Sequence, residues 1–465
     1  MSLSAILVYS LGAMPSWGLG LAILVYLSPY LASHLGVHLT TVAAAFAIVR
    51  ILDFFIDPLL GMIMDRTHTR LGRYRLWQIV GAPILMLAVY RLFMAPFGIG
   101  ETYLVVWLLV LYLGISILDL SRSAWNATLA TQYHERSRLF GIAAAVGILG
   151  GVAVLLVPIV AARLLPASAS SVPLMGWFLL ALTPLTIGVA VALTPERVSV
   201  DLHTDHFPLR DYWALVRRPA LIRLVLAQLS VSLGPNWMSA MYLFFFTASR
   251  GFTAAQASGL LLAYIFAGVL GAPATGYLAQ RIGKHRALMV TTTAFSLGLS
   301  TAMLFPRGNV LAVLPMMLWC GFMASGFALM IGAMAADFGD EIRLDQGKER
   351  ISLIYAAISF ANKAAGAISI VLTYSALAAV GYRPAEGAVN TPAAIHGLEA
   401  IFLIGPIFFV MLGGACFIGW RLDARRHADI RQSLDARDAQ IAAAMAAGAA
   451  STEAAIIFAE QSKQA

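Results

Sequence analysis

Apolar stretches of roughly 18–30 residues recur twelve times along this chain, each long enough to cross a ~30 Å hydrocarbon core as a helix. They fall near residues 3–32, 38–64, 75–95, 103–130, 138–163, 173–194, 221–249, 255–281, 286–305, 309–336, 351–380 and 394–420 of the 465. Composition leads to the same place. With 60% apolar and 12% charged residues and a mean hydropathy of +0.82, the chain carries about half the charge of an ordinary soluble protein. It cannot cover a compact body with polar groups, so most of it must be solvated by lipid. The expected fold class is all-α, a polytopic membrane protein. The expected division is an N-terminal six-helix bundle at 1–194, a linker at 195–220, a C-terminal six-helix bundle at 221–420 and a tail at 421–465. Neither linker nor tail reaches the ~50 residues of a small independent domain.

The basic residues set the orientation, because Lys and Arg resist translocation. With both termini inside, 23 of the 31 Lys and Arg residues lie on the cytoplasmic side and five outside; Arg50, Arg122 and Lys363 fall within spans. The net charge of +8 is thereby explained without nucleic acid. The tail, Ala-rich with alternating charges, reads as a partly helical cytoplasmic appendage. The first stretch, with no basic region before it and no cleavage site after it, reads as a span rather than a cleaved signal. Cys320 and Cys416 both sit within spans and read as small buried apolar residues. No disulfide scaffold, metal site or organic cofactor is expected.

Two segments repeat. "DPLLGMIMDR" holds Pro58, Gly61 and Arg66, and "GAPATGYLAQR" holds Pro273, Gly276 and Arg281, with identical spacing and a short basic turn after each. They end spans 2 and 8, each the second helix of a six-helix half. A duplicated 6 + 6 unit with a site between its halves is the architecture of alternating-access carriers.

Ionisable groups at mid-membrane are costly and rare, so each is a candidate for function. Span 2 carries Arg50, Asp53 and Asp57, with the two acids one helical turn apart on one face. Span 4 carries Ser116, Asp119, Arg122 and Trp125 at successive turns, and span 11 carries Asn362 and Lys363. Three acids balance three bases. Two carboxylates one turn apart raise each other's pKa or demand a bound cation, and either outcome makes a cation-sensitive switch. Asp65, Arg66, Arg281 and Asp337, with Asp340 and Glu341, read as a cytoplasmic latch at helix ends. In span 7 the run Gly234–Trp237 predicts a bend at Pro235 that gates the outer mouth, with Asn236 facing the cavity. His68, His134 and His285 fall in basic turns, and no nucleophile–base constellation appears, so an enzyme is not expected.

The segments "ILDFFIDPLLGMIMDRTHTRLGRYRLW", "YHERSRLFG" and "RISLIYAAISFANKAAG" resemble the glycoside–pentoside–hexuronide:cation symporters of the major facilitator superfamily, over the whole length and span order. The resemblance implies the major facilitator fold, with twelve helices in two pseudo-symmetric six-helix bundles and a central cavity. It implies cation coupling at Asp53 and Asp57, with Ser116 contributing a hydroxyl, substrate contact at Asp119, and Lys363 between the two sites. The chain departs from the family pattern in four places. Ser16 and Trp17 replace a Lys–Asp pair on span 1, Ala144 an arginine on span 5, Ser123 a tryptophan on span 4, and Ile56 an asparagine beside the second acid. With those groups gone, Trp17 and Trp125 are candidates for stacking on substrate, and Arg122 for holding a carboxylate or phosphate.

The expected function is secondary active symport of a small organic solute, a glycoside or sugar derivative, at a bacterial inner membrane by a monomer in the lipid bilayer. A proton is favoured over Na⁺ as coupling ion, since a proton needs one carboxylate and sodium a cage of oxygens. The alternatives are a carrier of lysophospholipid, another amphiphile or an organic anion, and a non-transporting membrane sensor or assembly factor.

Overall fold

The computed structural model describes residues 3–67, 69, 72–129, 133–164, 170–194, 217–346, 351–385, 387–437 and 439–440. Residues 195–216 of the linker, the tail beyond 440, His68 and the side chains of Asp65 and His134 lie outside the described residues.

Twelve helices among the described residues follow the twelve apolar stretches. They are α1 (Leu3–Ser33), α2 (Leu39–Arg66), α3 (Tyr74–Phe93), α4 (Glu101–Leu129), α5 (Tyr133–Leu164), α6 (Val172–Leu193), α7 (Pro219–Phe244), α8 (Ala254–Ile282), α9 (Lys284–Ser300), α10 (Val310–Gln346), α11 (Ile351–Ala379) and α12 (Pro392–Ala415). Ten of these are long and apolar enough to cross a membrane. The other two are α9, with 17 residues, and α7, whose hydropathy is lowered by Gln228, Pro235 and Asn236. The helix α10 runs ten residues past the expected boundary at 336, because "DFGDEIRLDQ" is polar enough to leave the membrane yet contains no proline to break the helix.

The packing is duplicated helix for helix. Contacts of α1 with α5 and α6 match those of α7 with α11 and α12; α2 with α4 matches α8 with α10; α3 with α4 and α6 matches α9 with α10 and α12. The contacts between the halves map onto themselves, with α1 on α7, and α2 on α11 mirrored by α5 on α8. Even the turns repeat. Gly36 and Gly251 follow α1 and α7, Gly72 and Gly283 follow α2 and α8, and Gly98 and Gly308 follow α3 and α9, all with positive φ. A side chain there is strained, so the sequence marks each reversal twice. A second repeat, Pro15-Ser16-Trp17 in α1 and Pro235-Asn236-Trp237 in α7, went unnoticed in the sequence.

Close helix crossings explain why the bundle holds without a hydrophobic driving force between helices in lipid. A Cβ on Gly321 of α10 would meet the Tyr264 carbonyl of α8 at 2.0 Å, and one on Gly271 would meet the Phe322 carbonyl at 2.0 Å. In the N-terminal half, a Cβ on Gly150 of α5 would lie 2.3 Å from the Met14 carbonyl of α1. Helix α7 runs through the proline to a π-helical turn at Phe245–Ser249. Gly234 brings α7 against Val410 and the Pro406 carbonyl of α12, and Trp237 lies over Gly405.

At the end of the bundle away from the basic turns, hydroxyls tie the halves together. Tyr26 of α1 shares a 2.6 Å hydrogen bond with Ser258 of α8, and Tyr374 of α11 donates to Ser28 of α1 at 3.0 Å. At the basic end, a short helix at 424–437 lies against α10. It buries Ile430 and Leu434, and His427 reaches Asp337 at 3.3 Å and Asp340 at 3.1 Å.

Gly321→Ala is expected to destabilise the protein by about 1–3 kcal/mol, the ordinary cost of overpacking, because carbonyl backbone blocks the added methyl. Gly276→Ala, which faces open space, is expected to leave the melting temperature in detergent unchanged or raised. Equal tolerance of both substitutions would contradict the packing account.

Candidate functional site

Arg50 and Asp53 of α2 face a polar stripe on α4 and Asp57 faces α11, so two carboxylates with the same chemistry acquire different environments. Asp53 is 3% exposed and both its oxygens are taken. Arg50 Nη1 donates to Oδ2 at 2.8 Å and Ser116 Oγ donates to Oδ1 at 2.9 Å. Arg50 is further held by the face of Tyr112, whose ring centroid lies 4.7 Å from the guanidinium carbon, a cation–π contact that desolvation strengthens. Asp57, one turn on, gives Oδ2 to Lys363 Nζ of α11. Its Oδ1 is buried with no hydrogen-bond partner among the described residues. The Asp57–Lys363 pair joins the two halves of the molecule, whereas Arg50–Asp53 is internal to α2.

Ser116, Asp119 and Arg122 are spaced by three along α4 and so share a face. Arg122 Nη2 donates to Asp119 Oδ1 at 2.8 Å, and its Nη1 reaches the Gly12 carbonyl of α1 at 3.3 Å. Tyr9 of α1 donates to the Arg122 carbonyl at 2.6 Å. Three ion pairs, Lys363–Asp57, Arg50–Asp53 and Arg122–Asp119, thus lie along α2, α4 and α11, the last of them reaching α1 through Arg122. Pairing is what a low-dielectric interior demands of charge.

The other expected substrate residues divide. Asn236 of α7 comes to the same place as Arg50, since a Cβ on Gly366 of α11 would lie 3.9 Å from both Asn236 Nδ2 and Arg50 Nη2. Trp125 is 1% exposed and meets Tyr9 edge to face at 5.3 Å, a packing position between α1 and α4. Trp17 is 46% exposed and rests on Gly147 of α5. Of the latch residues, Asp337 accepts two hydrogen bonds from Lys284 Nζ, at 2.7 and 2.8 Å, and also faces His427. Arg281 lies over the Tyr277 ring at 4.7 Å, and Arg66 is exposed at the end of α2.

Sequence reasoning missed a ladder on the C-terminal half. Gln228 Nε2 donates to Ser232 Oγ at 2.7 Å, and Ser232 donates to Asn362 Oδ1 at 2.8 Å. The i, i+4, i+8 spacing of Gln228, Ser232 and Asn236 was the available signal, a polar stripe on an otherwise apolar helix. Also missed was the cluster away from the basic turns, where Glu399 of α12 accepts from Ser249 at 2.5 Å and faces Arg307 and His396.

Two duplicated helical halves joined by an ion pair, Lys363–Asp57, with two further ion pairs beside it in α2 and α4, are laid out as a membrane carrier. The chain belongs to the MFS/sugar transport protein family, whose sequence profile matches residues 8–424, and within the major facilitator superfamily it is a member of the glycoside–pentoside–hexuronide:cation symporter group. It is similar to the uncharacterized symporter YnaJ of Bacillus subtilis (strain 168), with 25% identity over 89% of this chain and 90% of that protein. It is also similar to the isoprimeverose transporter of Lactiplantibacillus pentosus, at 24% identity over 86% of this chain and 84% of that one. Among solved structures, a nucleoside transporter superposes with a TM-score of 0.66 at 13% identity, covering 90% of this chain and 99% of that one. A bacterial homolog of the human lysosomal transporter Spinster, inward-facing and occupied, gives a TM-score of 0.65 at 14% identity over 89% of this chain and 95% of that one. The protein is a multi-pass membrane transporter of a small molecule and not an enzyme.

Removing one member of a buried pair is expected to cost more than removing both. Arg50→Gln strands Asp53 and should lower stability by about 3–5 kcal/mol, while Arg50→Gln with Asp53→Asn should recover most of that loss in thermal unfolding. A double variant no more stable than the single one would show that the pair is not what holds Arg50 in place.

Proposed function

We propose that this protein is a proton-coupled symporter of a glycoside or sugar derivative, working by alternating access between the halves at 1–194 and 221–420. In this reading the basic turns, the linker at 195–220, the tail at 421–465 and both termini are cytoplasmic in a bacterial inner membrane. The tyrosine–serine links then seal the outer end.

The observation that carries the reading is the unequal state of the two span 2 acids. Asp53 has a guanidinium on one oxygen and a hydroxyl on the other, so both its oxygens are engaged and it acts as a positioning residue for Ser116 and Arg50. Asp57 has one oxygen on Lys363 and one oxygen buried without a partner. A proton satisfies that oxygen alone, whereas a sodium ion needs several oxygens, and Ile56 supplies none. Protonation removes the charge that Lys363 faces across the interface and loosens α2 from α11. The coupling ion thereby acts on a contact that differs between the states of a rocking carrier. Asp119 and Arg122, exposed at 38% and 18% of their side chains, are the N-terminal half's polar contacts for solute.

The glycoside class is supported by the family and by the isoprimeverose transporter it resembles. Asp57→Asn is expected to abolish accumulation against a gradient in proteoliposomes while retaining solute exchange, because a fixed neutral side chain mimics the loaded state. Accumulation driven by a pH gradient in that variant would overturn the assignment.

A further inference from the structure

Four exposed arginines at the basic end of the C-terminal half make no ion pair among the described residues. Arg223 and Arg286 lie near the starts of α7 and α9, and Arg421 and Arg425 follow α12. The bases beside them are taken: Arg218 by Asp345, Lys284 by Asp337, Arg426 by Glu341 and Arg431 by Asp340. The duplication shows that the unpaired set belongs to one half. Three residues after the matching turn glycines, Gly72 and Gly283, stand Arg75 and Arg286. Arg75 Nη2 donates to the Val191 carbonyl at the end of α6 at 2.6 Å. Arg286 makes no such bond among the described residues, and the Gly419 carbonyl just past α12 is met by Arg223 of α7, at 3.5 Å.

Helix packing brings the four to one place. The end of α12 is wedged between α7 and α9, since a Cβ on Gly413 would lie 2.4 Å from Val231 and one on Gly414 would lie 2.3 Å from Thr292. Asp423, at the start of the tail helix, feels the charges of both His285 and Arg425, which sets Arg425 beside the first turn of α9. That carboxylate is itself turned to the Arg426 backbone N–H, so the patch is left strongly positive. Exposed apolar side chains carry each helix on into the hydrocarbon layer: Ile222 and Leu226 beside Arg223, Val290 one turn from Arg286, and Ile418 before Arg421. Guanidiniums bind phosphate oxygens two at a time, and basic pockets between helix ends hold anionic head groups. A row of guanidiniums above an aliphatic wall therefore has the two-part chemistry of a phospholipid, whereas a free phosphate would leave the wall unused.

We propose that the ends of α7, α9 and α12 form a binding site for an anionic phospholipid of the leaflet at the basic end, its phosphate held by Arg223, Arg286, Arg421 and Arg425. The lipid supplies the negative charge that these arginines lack and ties the start of the tail helix to the bundle. The site stands apart from the ion pairs of the helix middles and does not depend on the coupling ion.

The test uses the full chain in detergent, where added lipid reaches both ends of the bundle alike. Dioleoyl phosphatidylglycerol, dioleoyl phosphatidylcholine and inorganic phosphate are added in turn, bound lipid is counted by native mass spectrometry, and the melting temperature is read alongside. Phosphatidylglycerol should be retained and should raise the melting temperature by mass action more than phosphatidylcholine does, and inorganic phosphate should leave it unchanged. Arg286→Gln with Arg421→Gln should weaken phosphatidylglycerol binding by about tenfold or more and leave phosphatidylcholine binding as it was. Arg163→Gln with Arg383→Gln, which removes the same charge from the other end, should change neither. If the first double variant does not fold, photoactivatable phosphatidylglycerol on the unaltered chain decides: crosslinks gathered at the ends of α7, α9 and α12 uphold the site, and crosslinks elsewhere or spread evenly overturn it. Equal binding of the two lipids, equal loss in the two double variants, or stabilisation by inorganic phosphate as large as that by phosphatidylglycerol also overturns it.

Discussion

One ion pair bears on both the stability and the movement of this molecule. Lys363 of α11 and Asp57 of α2 meet across the boundary between the halves, where each charge is stabilised by the other. Arg50 and Asp53 neutralise each other within α2, and Arg122 and Asp119 do so within α4. The Asp57 pair therefore links the charge state of the site to the packing of one half against the other.

The scaffold makes that contact possible by being duplicated and tightly crossed. The interface α2–α11 has its mirror in α5–α8, but the mirror carries none of the six central charges, and Ala272 stands where the repeat would put Asp57. Gly150, Gly271 and Gly321 bring backbones together inside each half, so each half can move as a body. The tail helix at 424–437 adds a staple to the C-terminal half alone. His427 and Arg431 bind acids of α10, and Asp423, whose carboxyl accepts from the Arg426 backbone N–H at 2.9 Å, starts the helix. That backbone donor holds Asp423 below the usual carboxylate range. Its contribution is therefore present above the ordinary pKa of an aspartate and lost as pH falls through the lowered one.

Much of the fold is legible in the residues. Span length alone places twelve helices, because lipid leaves the backbone no alternative to internal hydrogen bonding. Helical periodicity puts Asp53 beside Asp57 and Ser116 beside Asp119. Which partner each charge selects is not legible, since that depends on how α2, α4 and α11 are rotated. The sequence allows Lys363 to serve both span 2 acids; the structure gives it Asp57 only. Trp125 reads as a stacking platform and is packed against Tyr9. Gly234 reads as part of a bend with Pro235, and what the sequence does not show is that the glycine serves a close approach to α12. The stripe Gln228, Ser232 and Asn236 and the Pro-x-Trp repeat of α1 and α7 were visible as patterns. They carried no meaning until α7 was seen against α11.

The central claim is that Asp57, and not Asp53, takes up the coupling proton and so releases Lys363. Solute-induced infrared difference spectroscopy of the reconstituted protein reads this most directly, through the carbonyl stretch of a protonated carboxyl group. The account predicts that such a band appears on solute binding without sodium, persists in Asp53→Asn and is absent in Asp57→Asn. A band that survives Asp57→Asn and is lost in Asp53→Asn, or solute binding that requires sodium and gives no such band, would contradict it.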